Sequence, residues 1–359
     1  MILFLFLEMS EEHYISAESL LGALPEGEGQ VGLDLEADSL YRYAERICLI
    51  QVCYDEEVAL VDPLNGESLD ALVAWLKNAK IWLHGADYDM SLMLREWGLT
   101  PSFIYDTQIA AQLLGYQRFG YAGLVEQEFQ VELSKSSQKA DWGQRPLSSK
   151  MLEYARNDVI YLLPLAEKLA TKLHDLGRYE WFLESCEAAM TKVINREGEP
   201  KESWRVNGSG RLHPSGLRFL KHLWEWRDKE ASAWNRPSFM VATNKQLVAW
   251  SIELADGKDL DLPSKLRPDR KARLNEALVL AKGQPEADWP QRPKRERRRF
   301  DEDFESKLKV VMEKRNGIAT ELGIDPSVIA SRATLEMIVG GRKTADEVLL
   351  KWQNSLLEL

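Results

Sequence analysis

Val31-Gly32-Leu33-Asp34-Leu35-Glu36 is the stretch that decides the fold of this chain. Apolar residues at 31, 33 and 35 alternate with other residues, the period of a strand with one buried face. Asp34 and Glu36 then share the opposite face, two residues apart and pointing the same way. Carboxylates placed like this repel each other unless a cation sits between them, and oxygen ligands suit a hard divalent ion. A lone D-x-E is short and common, and it equally describes a strand with a solvated polar face. Further ligands have to come from the rest of the chain.

The chain is 359 residues long, room for about two or three domains of ~150 residues and a sizeable core. Its composition, 45% hydrophobic and 29% charged, is that of a soluble globular protein. Cys48, Cys53 and Cys186 have neither a disulfide framework nor metal-like spacing, which implies a reducing, cytoplasmic setting and no structural zinc. Met1–Leu7 is apolar but too short to span a bilayer, and it lacks a basic leader and a cleavage site. Met9 reads as an alternative start, with the first eight residues as an upstream extension. The net charge of −11 is unevenly spread: residues 201–300 carry 22 Lys and Arg against 13 Asp and Glu, the remainder 24 against 44. An acidic body joined to a basic segment is compatible with a polyanionic partner, although an ordinary solvated helix pair would carry charge in the same way.

Outward from the opening stretch, His13–Ser16 can form a short strand and Ser19–Leu24 a helical turn. Arg46–Tyr54 and Val58–Asp62 follow at hairpin spacing, so the first long strands are expected to form an antiparallel meander. Ser68–Ala79 has helical periodicity and Ile81–His84 the composition of a strand added in parallel through that crossover. Helices are expected at Asp89–Trp97, Thr107–Leu114, Gly123–Phe129 and Ser148–Leu173. The result is a mixed sheet with helices packed on it, an α/β domain ending near residue 190.

Two more acidic positions suit the opening pair. Ile81-Trp-Leu-His-Gly-Ala-Asp-Tyr-Asp89 runs from strand to helix, and either Asp87 or Asp89 could be a cap or a ligand at the strand's carboxyl end. His84 has no second histidine nearby and stays outside the metal set. In Tyr154-Ala-Arg-Asn-Asp158 the i,i+4 spacing stacks Tyr154 over Asp158, either as core and surface or as a phenol holding water beside a ligand. Asp106 is read as a helix N-cap.

Taken together, D-x-E, H-G-A-x-x-D and Y-x-x-x-D resemble the four-carboxylate exonucleases with a tyrosine in the third motif. Ile47–Leu64 (ICLIQVCYDEEVALVDPL), Asp106–Leu114 (DTQIAAQLL), Asp141–Leu147 (DWGQRPL) and Tyr154–Leu165 (YARNDVIYLLPL) resemble the bacterial ribonuclease D family. The chain departs at Asp34-Leu35-Glu36-Ala37-Asp38, where that family often has D-T-E-F, but the ligand positions are intact. Leu217–Leu254 is similar to the HRDC helical module of the same family, and Phe304–Leu356 to a second, more diverged copy. The expected organisation is a nuclease domain over 9–190, an HRDC domain over 205–285, a basic linker over 286–302 and a second HRDC-like domain over 303–357.

The resemblance implies an α/β ribonuclease H-like domain, its mixed sheet covered on both faces, followed by all-α modules. It implies two divalent cations, Mg²⁺ or Mn²⁺, held by Asp34, Glu36, Asp89 and Asp158. Asp34 would bridge both, Glu36 and Asp158 complete the first, Asp89 hold the second, and Tyr154 orient the attacking water. The implied activity is 3′→5′ hydrolysis of RNA from a free 3′ end, with tRNA precursors as the expected substrate. The expectation is a cytoplasmic monomer without a membrane partner, with single-stranded DNA as a further candidate ligand. A DNA exonuclease and an inactive nucleic-acid-binding module are the competing readings. The helical half is expected to grip nucleic acid, with Trp224, Trp226 and Arg227 available for stacking. A chain ending near Leu176–Arg178 is expected to keep the acidic site.

Overall fold

The computed structural model describes residues 14–24, 29–198, 202–260, 267–292 and 303–359. The alternative start at Met9, His13 and most of the basic linker lie outside these residues. The described residues form two compact units, one built from the nuclease segment together with the C-terminal helices, the other from residues 38–46 and the central helical segment.

In the first unit, β1 (Gln30–Ala37) pairs antiparallel with β2 (Ile47–Tyr54), which pairs antiparallel with β3 (Glu57–Val61). This is the meander that the hairpin spacing predicts. α1 (Ala17–Ala23) precedes it, and of the short strand expected over His13–Ser16 the described residues show a single bridge, Tyr14 to Leu60. After α2 (Asp70–Leu76), β4 (Lys80–Leu83) joins β1 in parallel. α3 (Asp87–Trp97) then leads to β5 (Phe103–Asp106), parallel to β4, completing a mixed sheet of order β3-β2-β1-β4-β5. The sequence does not announce β5, because four residues are too few to establish a period.

The sheet faces follow the alternation in β1. Val31, Leu33 and Leu35 enter one core with Ile50, Val52 and Ile81. Gly32, Asp34 and Glu36 face the other side, opposite Cys53, Gln51 and Leu49 of β2. That side is covered by α4 (Thr107–Leu113), α5 (Tyr121–Phe129), α6 (Ser149–Ile160) and α7 (Leu162–Asp175). Gly32 is required there: an added Cβ would lie 2.4 Å from the Cys53 Sγ and 3.1 Å from Leu162. The single helix expected over 148–173 is divided at Tyr161. Pro164, in the first turn of α7, has no N–H to offer the Ile160 carbonyl, so the helix restarts.

α8 (Tyr179–Gly198) belongs to this core: Met190 and Val193 pack with the sheet, and the Ile104 N–H meets the Met190 Sδ at 3.1 Å. A chain ending near Leu176–Arg178, expected from sequence to keep the acidic site, would lack this wall of the core.

The C-terminal helices α13 (Phe304–Leu322), α14 (Pro326–Ile329), α15 (Arg332–Val339), α16 (Ala345–Val348) and α17 (Lys351–Leu357) share a continuous apolar core with α4, α7 and α8. Arg178 donates to the carbonyls of Leu113 and Leu322, each at 2.7 Å. Trp352 stacks on Trp181 at 4.9 Å and donates to the Ser185 hydroxyl. Gly115, at φ +82°, lies so close that an added Cβ would sit 2.0 Å from the Gly323 carbonyl oxygen.

In the second unit, α9 (Pro214–Trp234), α10 (Ser238–Val241), α11 (Asn244–Ala255) and α12 (Pro268–Gly283) enclose a core that includes Leu220, Leu223, Trp226 and Leu247. Arg227 is buried and donates to the Ala242 carbonyl and the Asn244 side chain. Trp226 and Arg227 thus cannot stack on bases, because packing and backbone carbonyls already occupy them. Arg315 of α13 repeats the arrangement, donating to the carbonyl of Ala330, fifteen residues on, just as Arg227 does to Ala242. Both helices end on a left-handed residue, Asn235 or Gly323, and α11 and α15 begin on the hydroxyl caps Thr243 and Ser331. The C-terminal segment thus shares the local architecture of the central one.

Candidate active site

Four of the five predicted site residues come from β1 and α6, and their spacing does the local work. The strand period puts Asp34 and Glu36 on the helix-covered face of β1, and one helical turn puts Tyr154 beside Asp158. Ser148 caps α6, its hydroxyl accepting from the Met151 N–H. Asp34, Glu36 and Asp158 each offer an oxygen, and these oxygens lie within 4.8 Å of one another. Asp89, on the first turns of α3, is outside this group of three but close enough that its charge raises the pKa of Asp34 and Glu36.

All four carboxyls titrate abnormally. Burial, and then the fields of Asp89, Asp158 and Glu36, hold Asp34 well above the usual carboxylate range. Burial and the charges of Asp158 and Asp89 do the same to Glu36. Burial pushes Asp89 up to about 7, against the Leu35 N–H, which favours its ionised form. Asp158 is likewise pushed up to about 7 by burial, with the Tyr154 hydrogen bond opposing it. Burial and the surrounding carboxylates raise the Tyr154 phenol far above its ordinary value, and its hydroxyl is hydrogen-bonded to Asp158. Tyr154 is therefore a neutral donor across the neutral pH range.

The two aspartates of α3 separate clearly. Asp87 is exposed and paired to Arg196 of α8 at 2.8 Å, whereas Asp89 is buried beside β1. Asp106 does more than cap α4 through the Gln108 N–H. Its other contacts, from the N–H groups of Gly85 (2.8 Å) and Ala86 (2.9 Å), hold the turn that aims α3. Thr107 donates to the Leu83 carbonyl and contacts the His84 Nδ1 at 3.0 Å, and burial lowers the His84 pKa to about 4. Asp38, at the departure from D-T-E-F, is buried and takes the N–H and guanidinium of Arg46.

The D-W-G-Q-R-P-L segment is structural support for Tyr154. Arg145 clasps both Asp62 oxygens and the Cys48 carbonyl, each at 2.6 Å, and also donates to Trp142 O. Trp142 is then fixed with its ring 6.0 Å from that of Tyr154. A cleft of about 440 Å³ opens beside these groups, lined by His84, Arg118, Tyr121, Lys135, Tyr154 and Asp158 among others.

The mixed sheet thus carries acidic side chains that converge beside an open cleft, and comparison with known proteins identifies the chain as a 3′-5′ exonuclease. Residues 12–174 match the family model described as 3′-5′ exonuclease. The chain is 29% identical to ribonuclease D of Xanthomonas oryzae pv. oryzae, covering 92% of this chain and 91% of that protein. It is 30% identical to ribonuclease D of Zymomonas mobilis subsp. mobilis, over 90% and 85% of the respective lengths. The structure of Escherichia coli RNase D, an exoribonuclease involved in structured RNA processing, superposes with a TM-score of 0.71 at 24% identity, covering 96% of this chain and 98% of that one. The chain belongs to the ribonuclease D family and is a 3′→5′ exoribonuclease. Among the described residues, no helix is long and apolar enough to cross a membrane.

Proposed function

We propose that Asp34, Glu36, Asp89 and Asp158 hold two divalent cations, Mg²⁺ or Mn²⁺, and that the enzyme trims the 3′ ends of structured RNA such as tRNA precursors. The observation that carries this reading is the all-oxygen cluster whose members repel one another when no cation is between them. When bound, such cations activate water and neutralise charge on the leaving 3′ oxygen. Asp34 would serve both positions, Glu36 and Asp158 would complete one, and Asp89 would serve the other from the α3 side. Tyr154, too weak an acid to act as a base here, orients the attacking water by hydrogen bonding. Tyr154→Phe lowers the single-turnover rate about 10- to 1000-fold, in line with loss of one positioned hydrogen bond. An unchanged rate would remove Tyr154 from the reaction.

The deciding experiment is digestion of matched 3′- and 5′-labelled RNA and DNA oligonucleotides, and of circular RNA, with and without Mg²⁺. Mononucleotides released from the 3′ end, with the circle intact, support the reading; cleavage of the circle defeats it. The central and C-terminal helical segments are HRDC-type modules in this reading, the central one supplying grip. The exposed lysines Lys245, Lys271 and Lys282 offer phosphate contacts. Replacing all three with Ala flattens the slope of log affinity against log salt by about 0.7 per lost single-strand contact. An unchanged slope assigns the segment a different task.

A further inference from the structure

Gln51 is a side chain that neither the proposed metal ligands nor the apolar core accounts for. It lies in the middle of β2, is completely buried, and neither its Nε2 nor its Oε1 has a hydrogen-bond partner. A buried amide left unpaired at both ends is unfavourable, whereas an apolar side chain of the same size there would have nothing to satisfy. Its place in the register explains what the amide is for. Gln51 is the direct antiparallel partner of Asp34, and Leu60 of β3 flanks it on the other side. Leu49 and Cys53, two residues away in either direction, point to the same helix-covered face and pack there against α6 and α7. Gln51 is therefore a polar group set into an apolar wall next to the acidic cluster. Same-face partners in an antiparallel pair have Cβ atoms about 4.5–5.5 Å apart, so the carboxamide can reach the Asp34 carboxylate.

We propose that Gln51 is a positioning residue of the metal site, its carboxamide N–H donating to Asp34 when the site is loaded and so fixing which Asp34 oxygens face the cations. The inference rests on the metal reading given above. A carboxylate that serves two cations has to keep both oxygens in a set orientation, and an outer hydrogen bond does that without adding charge to a cluster that already carries four carboxyls. Gln51 touches neither substrate nor cations. Its effect passes through Asp34.

The test uses the full-length protein, titrated with Mn²⁺ by calorimetry and melted without metal. Gln51→Met, which keeps the size and removes both orphaned polar atoms, is expected to weaken Mn²⁺ binding 10- to 100-fold. It is also expected to raise the melting temperature of the metal-free protein, and high Mn²⁺ should recover much of the lost rate. A merely structural glutamine would move stability and leave affinity unchanged, and that outcome overturns the proposal. Should Gln51→Met fail to fold, the wild-type protein still decides: the ¹⁵N-labelled Gln51 side-chain amide shifts and gains protection from exchange on addition of Mg²⁺, and an unmoved resonance overturns the proposal. Asp34→Asn is titrated alongside. If Asp34→Asn loses Mn²⁺ binding and Gln51→Met does not, only this inference fails. If neither variant loses it, the metal reading fails first.

Discussion

Asp34→Asn will abolish hydrolysis and leave a folded protein whose metal-free form is more stable than wild type at neutral pH. The loss of activity follows from removing the carboxylate that the other three surround. The gain in stability follows from the same crowding. Asp34 and Glu36 are held well above the ordinary range, and Asp89 and Asp158 are pushed up to about 7. A carboxyl whose folded pKa is raised binds more protons in the folded than in the unfolded state between its ordinary value near ~4 and its folded value. Its contribution to metal-free stability therefore falls as pH rises through that window, to about pH 7 for Asp89 and Asp158 and on past the ordinary carboxylate range for the other two. The advantage of Asp34→Asn over wild type should accordingly be small near pH 4 and grow towards pH 7.5. Melting both proteins in chelator across this range checks it. A constant difference would mean that Asp34 is not crowded, and full turnover with Mg²⁺ would remove it from the site.

Deleting residues 303–359 will cost the nuclease its fold, a larger effect than the loss of a peripheral module. Trp352, Leu349 and Ile324 are buried in the core that also holds Phe182, Leu113 and Leu169. The cut also strips Arg178 of the Leu322 carbonyl and exposes the face of Trp181 on which Trp352 stacks. Trp352→Ala is the graded version and should destabilise by about 3–5 kcal/mol, the range for removing a buried tryptophan. Denaturant unfolding measures it. A truncated chain that melts like the intact one would show that the C-terminal helices only rest on the nuclease.

Much of the site was legible in the sequence because its spacings are local. A strand period of two puts Asp34 and Glu36 on one face, and a helical period puts Tyr154 over Asp158, whatever the remainder of the chain does. The meander and the parallel fourth strand were readable for the same reason, from hairpin-length and crossover-length connections. What only the tertiary structure decided depends on segments far apart in the chain. Local pattern alone leaves Asp87 and Asp89 alike and only the H-G-A-x-x-D resemblance singles out Asp89; the physical reason lies in the tertiary structure, where Arg196 of α8, more than a hundred residues away, pairs with Asp87. Trp226 and Arg227 read as free for stacking until packing and a backbone carbonyl take them inward. The pairing of Gln51 with Asp34 likewise exists only once β2 is set in register against β1. Period fixes the face on which a side chain stands. Which group it then meets is set by distances between elements that no local pattern encodes.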